Sequence, residues 1–420
     1  MGSKSHFYSH NHAACWVAFL PAILLLVEVI SGHVFAQEGN ANENPAGAAA
    51  AGGSYAEDPV DQNLSRKFTS DIAPILRAGK FNDDKQQNDF DTYYKNFSLP
   101  RWTQLSALAD LKNSPRKELL NSLRQAKKGQ VHDHLNDLVL EYMNKLANSD
   151  KYHPAVRYNA MLAIGDLNAD DTGTSPPPLE SALPVLLATV NDPKQIDPVK
   201  IAALIGVNRH VTVGVVNPQI QNQILGALLK IVAGADAADS SDPGRNWMRK
   251  QAVEILGLLG NVGVNNQVVQ VLSAIIGDTK ASFSMRSTAA ESLGKLKFAG
   301  AGGLNPLDLA KPLGQLMLDA CDAELKSVKD TKLPVSRRRM KALLSAVMEG
   351  LKGIKPLAKD PPQQTSLNNL QTIFDNLFKE LDKDTSKIKG DEEEQKYNDD
   401  LKSAVEDCRN KLNGWLEKKP

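Results

Sequence analysis

The sequence predicts an all-α protein: a right-handed solenoid of repeated helix pairs, with irregular helices before it and a helical hairpin capping its end. Three observations carry that expectation. Aromatic residues make up only 5% of the chain, while Leu, Ala and Lys are abundant, a balance that favours helix over sheet. A pattern R-x-x-A-x-x-x-[IL]-G-x-L occurs three times without a gap. Its apolar positions fall at i, i+4 and i+7, which is one face of a helix.

The first copy runs from Arg157 through Ala160, Ile164 and Gly165 to Leu167. The others hold Arg249, Ala252, Leu256 and Gly257, and Arg286, Ala289, Leu293 and Gly294. Two degenerate copies, with Lys200, Ala203 and Val207 and with Arg339, Ala342 and Ala346, lose the glycine. The five cations recur roughly every 45 residues, a period that marks two-helix solenoid repeats. Each motif follows a partly apolar first helix, the five lying near Leu135, Leu183, Ile220, Val268 and Leu309. The small Ala admits a neighbouring helix, and each glycine falls where a helix must meet that neighbour or end.

These residues resemble HEAT repeats over about 130–355. In that family the first helix ends at an Asp-bearing turn and the second begins near V-R-x-x-A, as His153-Pro154-Ala155-Val156-Arg157 does here. The resemblance implies a charge ladder in which each turn Asp accepts from turn amides and from the cation of its own or the adjacent repeat. Its members here would be Asp150 and Arg157, Asp192 and Lys200, Asp242 and Arg249, Asp278 and Arg286, and Asp330 and Arg339. Such repeats serve many unrelated roles, so the likeness speaks to fold and not to function.

The flanks read differently. An apolar run from Ala13 to Val27, followed by Val34-Phe35-Ala36, fits a secretory signal peptide over residues 1–36, cleaved after Ala36. Residues 37–58 hold little to bury and read as a disordered tether. Residues 59–129 read as irregular helices rich in aromatics, among them Tyr93, Tyr94, Phe97 and Trp102. Residues 361–420 read as two amphipathic helices separated by a charged stretch. Cys321 and Cys408 are expected to be separate packed thiols, since Cys408 falls on an apolar stripe.

Lys plus Arg equals Asp plus Glu at 49 each, which argues against nucleic acid as a partner. His132 and His134, two apart on a helix, cannot chelate one ion and read as solvated or capping. The acidic loops at Asp170-Asp171 and Asp236 to Asp242 lack calcium-loop spacing and read as solvated insertions. Phe68 to Leu76 is similar to the run-in to the haem site of secreted cytochrome c modules, but the required C-x-x-C-H is absent. No nucleophile elbow or zinc spacing occurs, so no enzyme, metal or cofactor is expected. The function expected is a periplasmic or secreted scaffold that binds a protein on the concave face lined by the second helices. Candidate contacts are Tyr158, Asn159, Arg209, His210, Trp247, Arg337 and Arg338. Two other readings are an enzyme or cofactor-handling accessory using residues 60–128, and an envelope component held at a membrane by an uncleaved N-terminus.

Overall fold

The computed structural model describes residues 55–215, 217–234 and 242–418. The expected signal peptide and most of the expected tether lie outside the described residues. The remainder of that tether is not loose. Asp58 accepts hydrogen bonds from the Tyr142 hydroxyl at 2.7 Å, the Tyr152 hydroxyl at 2.8 Å and Lys145 Nζ at 3.1 Å. The Ala56 amide donates to the Lys151 carbonyl and the Asp58 amide to Thr103 Oγ1. Burial by itself would raise the Asp58 pKa, but the three donors outweigh it and hold the carboxylate below its usual value. One anchored carboxylate thus orders residues 55–58, which their composition alone would leave unfolded.

Short elements follow. A 3₁₀ turn at Gln62–Arg66 and a π turn at Phe68–Ile72 lead into α1, Ala73–Ala78. Helix α2, Asp84–Tyr93, runs into a second π turn at Tyr94–Ser98 and 3₁₀ turns at Pro100–Thr103 and Leu105–Asp110, before α3, Pro115–Ala126. Phe90, Tyr93, Tyr94, Phe97 and Trp102 are all buried, and large rings packed edge to face supply the apolar area that such short helices lack.

Five helix pairs come next. They are α4 Gln130–Ala147 with α5 Pro154–Asp166, and α6 Ala182–Asn191 with α7 Asp197–Val213. Then come α8 Pro218–Val232 with α9 Pro243–Leu259, α10 Gln267–Gly277 with α11 Phe283–Gly294, and α12 Pro306–Thr331 with α13 Arg337–Ile354. Proline in the first turn and an Asn or Asp cap start several of them: Asn217 before α8, Asp242 before α9 and Asn305 before α12 each accept from amides of the first turn. Helices α14, Pro361–Leu381, and α15, Asp391–Glu417, end the described chain. Among the described residues the β pairing is one isolated bridge, Asn168 with Pro178.

The packing is serial. Each first helix lies on its own second helix, and each second helix lies on the next: α5 on α7, α7 on α9, α9 on α11, α11 on α13. Helix α14 packs on α13 and α12, and α15 packs on α12 and α14. Helices α7, α9 and α11 are therefore each covered by their own first helix and by the second helices before and after them. Helix α5 buries Val156, Arg157 and all of residues 160–165, and α7 buries residues 201–204.

The motif glycines sit where these helices touch. A Cβ on Gly165 would lie 3.0 Å from Gly206 Cα, and one on Gly257 would lie 2.7 Å from Ser292 Cα. Gly294 faces Gly350 and Gly353 in the same way. The copies that lack the glycine at its motif position thus supply Gly206 and Gly350 from nearby positions, as partners of the motif glycine in the preceding repeat. With no side chain at the crossing, two backbones approach closely and the flanking Leu, Ile and Val interdigitate around them. Gly257→Val should destabilise the fold by about 1–3 kcal/mol, the usual cost of overpacking a close contact. A urea melt tests this, and an unchanged midpoint would show that the α9–α11 crossing has room to spare.

Candidate partner-binding face

Two of the motif arginines, Arg157 and Arg286, cap helix ends and join neighbouring repeats. Arg286, only 2% exposed, donates from Nε to the Ile276 carbonyl at 2.7 Å, at the C-terminal end of the preceding first helix. Its Nη2 reaches Asp319 of the next repeat at 2.8 Å. Arg157 repeats the geometry: Nε donates to the Ala147 carbonyl at 3.2 Å and Nη2 to Gln195 Oε1 of the next repeat at 2.5 Å. Each arginine caps the orphan carbonyls of one helix, where the macrodipole favours a cation, and ties that repeat to the following one.

The expected Asp–cation ladder is corrected accordingly. Arg286 pairs with Asp319 and not with Asp278, whose carboxylate accepts from the Lys280 amide. Asp192 likewise accepts from the Lys194 amide, and Asp242 caps α9. Arg157 is charge-assisted by Asp150 and Asp192 only at a distance. Arg249 lies near Asp278 of the next repeat, and burial works against its charge. Arg339 binds Glu324, a buried carboxylate that also accepts from the Ser336 amide at 2.6 Å, and not Asp330. Among the described residues Lys200, Asp150 and Asp330 make no ion pair. The carboxylates of Asp192, Asp242 and Asp278 accept from amides of their own turns.

The seven residues expected on the binding face scatter. Arg209 is spent inside the fold: Nη1 donates to the carbonyls of Gly165 at 2.9 Å and Leu167 at 3.1 Å, and Nη2 to Pro176 and to Asn168. Arg337 does the same for α14, bonding the carbonyls of Leu381 at 2.6 Å and Lys383 at 2.5 Å and the hydroxyl of Thr385. His210 is buried, its Nε2 meets no protein partner, and burial followed by the nearby Arg209 charge pushes its pKa down to about 4. It is a neutral core histidine at neutral pH. Asn159 bonds the Ala155 carbonyl of its own helix. Tyr158 and Trp247 are half-buried against the core, and burial raises the Tyr158 pKa. Arg338 is exposed.

A continuous open strip nevertheless remains on the second helices. On α9 it carries Trp247, Lys250, Glu254 and Leu258; on α11 Ser284, Ser287, Glu291 and Lys295; on α13 Arg338, Ser345 and Lys352. The spacing of three and four is the one face that serial packing leaves uncovered. Leu258, 43% exposed, adds an apolar point. Neighbouring helices touch along the strip through Lys250 Nζ and Ser284 Oγ at 3.1 Å. Glu254, half-buried there, has its pKa raised by burial, with Glu291 adding to the shift. The strip is mixed in charge and suits a polar protein surface better than a polyanion.

A buried polar network lies beside the first two pairs, and here two expectations fail. His132 and Asp171 are not solvated: their side chains are 0% and 3% exposed, with Nε2 2.8 Å from Oδ2. Asp171 Oδ1 accepts from Asn168 Nδ2 at 2.7 Å, and Asn136 Nδ2 donates to the Asn168 carbonyl at 2.9 Å. Through Asn168 this group joins Arg209, so the loop after α5 is stitched to α4 and α7. His134 pairs instead with Asp91 at 2.6 Å, its ring against Phe81 and Phe90. The partners lie some forty residues apart in the chain, and no local spacing betrays them. Among the described residues no cluster of His, Cys, Asp and Glu could hold a metal ion.

Two predictions follow from these geometries. Arg286→Ala should cost about 2–3 kcal/mol, because the Ile276 carbonyl loses its buried partner while Asp319 can partly return to water; Lys200→Ala should stay within about 0.5 kcal/mol. Equal losses in chemical denaturation would mean that the arginine cap contributes nothing. For His132, burial alone would depress the pKa, but the bond to Asp171 and the charges of Asp171 and Asp133 outweigh it and raise it above 6.5. A raised folded pKa gives stability that is complete below the unfolded value and lost as pH rises through the folded one. His132→Gln should therefore be more damaging at pH 6 than at pH 9, a comparison in which the opposing His210 cancels. A penalty independent of pH would show that His132 is neutral throughout.

No protein-family model, no curated protein and no solved structure matches this chain.

Proposed function

We propose that the five helix pairs are HEAT-like repeats stacked as a right-handed solenoid, and that the open strip of the second helices holds a protein partner outside the cytoplasm. The observation that supports this reading is the strip itself. Serial packing of α5, α7, α9, α11 and α13 buries most of these helices, yet on α9, α11 and α13 it leaves a face of mixed polar, charged and apolar side chains. A stack of repeats offers such a face without a deep pocket, and partners bind along it by summing modest contacts. Trp247, Leu258 and Arg338 are its natural anchors, an aromatic, an aliphatic and a guanidinium group of the kinds that dominate protein interfaces. Export rests on the apolar run and the Val34-Phe35-Ala36 site of the sequence. No described helix is long and apolar enough to cross a membrane.

A photo-crosslinking residue at Glu291 or Arg338 should capture one protein in native cells, whereas the same residue at Gln270 of α10 or Gln371 of α14, outside the strip, should not. The crosslinker-bearing chain recovered with it should begin at Gln37. Equal labelling from all four positions would remove the strip as the binding face, and a mature chain beginning at Met1 would remove export.

A further inference from the structure

Helices α12 and α15 run antiparallel with a fixed register. A Cβ on Gly314 would lie 3.3 Å from the Trp415 ring, and the ring's neighbour Leu416 is also in reach. Seven residues further along α12, and seven back along α15, Cys321 meets Cys408, and one residue beyond, Arg409 Nε binds Asp322 Oδ1 at 2.5 Å. Seven residues are two helical turns, so the same faces meet at both levels. The contact sits in the core, with Cys321 0% and Cys408 2% exposed, and both are reduced. Both cysteines are buried as expected, but they are not separate: they pack against each other.

We propose that Cys321 and Cys408 are a cross-linking site, at which the two sulfurs join in a disulfide that fastens α15 to α12 when the protein meets a disulfide oxidant. One cysteine thiolate attacks a sulfur of the donor disulfide and expels a thiolate, leaving a mixed disulfide. The second cysteine then attacks the protein sulfur of that bond and expels the other donor thiolate. Two protein thiols lose two electrons and two protons, and the donor becomes two thiols. In the packed state the mutual hydrogen bond and burial both push the Cys321 thiol well above its usual pKa, so thiolate is scarce there. The exchange therefore runs before α15 docks, or when this terminal helix lifts away. Docking then holds the sulfurs together, and closing the long loop between them removes entropy from the unfolded chain. Without the bond, α15 is held by burial, by the Arg409–Asp322 pair and by Trp415 Nε1 donating to the Ser366 carbonyl at 3.0 Å. With it, the end of the helix stack cannot fray.

The test is to unfold the full chain in urea with reductant, refold it in a mixture of oxidised and reduced glutathione, block free thiols with N-ethylmaleimide, and map tryptic peptides by mass. The expected product is Phe298–Lys326 joined to Ser403–Arg409, in a monomer, released by dithiothreitol. The oxidised protein should melt several degrees above the reduced one, and Cys408→Ser should abolish both the linked peptide and the gain. Recovery of both cysteines carrying N-ethylmaleimide overturns the proposal, as does glutathione retained on either one. Peptide mapping of the unsubstituted chain decides the matter even if the serine variant fails to fold.

Discussion

Successive second helices touch backbone to backbone, through Gly165 with Gly206, Gly257 with Ser292, and Gly294 with Gly350 and Gly353, and the other features of the repeats are arranged around that contact. A side chain at any of these crossings would push the helices apart, and the Leu, Ile and Val residues on either side would lose their interdigitation at once. The close approach also fixes register, because a small residue on one helix must meet a small residue on the next. It explains why α5 and α7 are buried on most sides.

Burial on that scale creates a polar problem at the helix ends. The carbonyls that close each first helix face the second helices, where water does not reach them, and an unsatisfied carbonyl there costs more than a hydrogen bond ordinarily contributes. Arg157 and Arg286 answer it, each with Nε on its own repeat's carbonyl and Nη2 on an acceptor of the next repeat. Arg209 and Arg337 meet the same need at other ends of the stack. The planar guanidinium serves two or three acceptors at fixed angles, which a lysine cannot do. That is consistent with Lys200, at the equivalent motif position, making no ion pair among the described residues. Much of the positive charge that looked available for a partner is therefore consumed in holding repeats together.

What is left for recognition is narrow. The open strip of α9, α11 and α13 is the part of these second helices that no neighbour covers, and its chemistry is varied: Trp247, Glu254, Leu258, Glu291, Lys295 and Arg338. Because the strip rides on buried helices pinned by their crossings, its side chains are presented on a rigid base, and the binding proposed there would lose little backbone entropy. In the first two pairs, the His132–Asp171 pair and the Asn168 bridge pin the loop after α5 to α4 and α7. The pH response of the fold is spread over several buried or half-buried groups, with His132 raised and His210 and Asp58 lowered.

The sequence by itself determined the helices and where the pairs break. The i, i+4, i+7 spacing of Ala160, Ile164 and Leu167 states which face is buried, and proline with Asp or Asn states where a helix starts; both are local facts. It also marked the motif glycines as places where a helix meets its neighbour or ends, and the structure shows that they are contacts. Tertiary structure alone decided which charges meet. Arg286 with Asp319, Arg339 with Glu324, His132 with Asp171 and Asp58 with Tyr142 and Tyr152 join residues from about fifteen to ninety-four positions apart, and their pairing depends on helix crossings that no periodicity encodes. For the same reason Arg209 and His210 could not be assigned from the chain. Whether a polar side chain on a helix faces water, a carbonyl or a neighbour's core is set by the helix that packs beside it, and that neighbour lies a full repeat away.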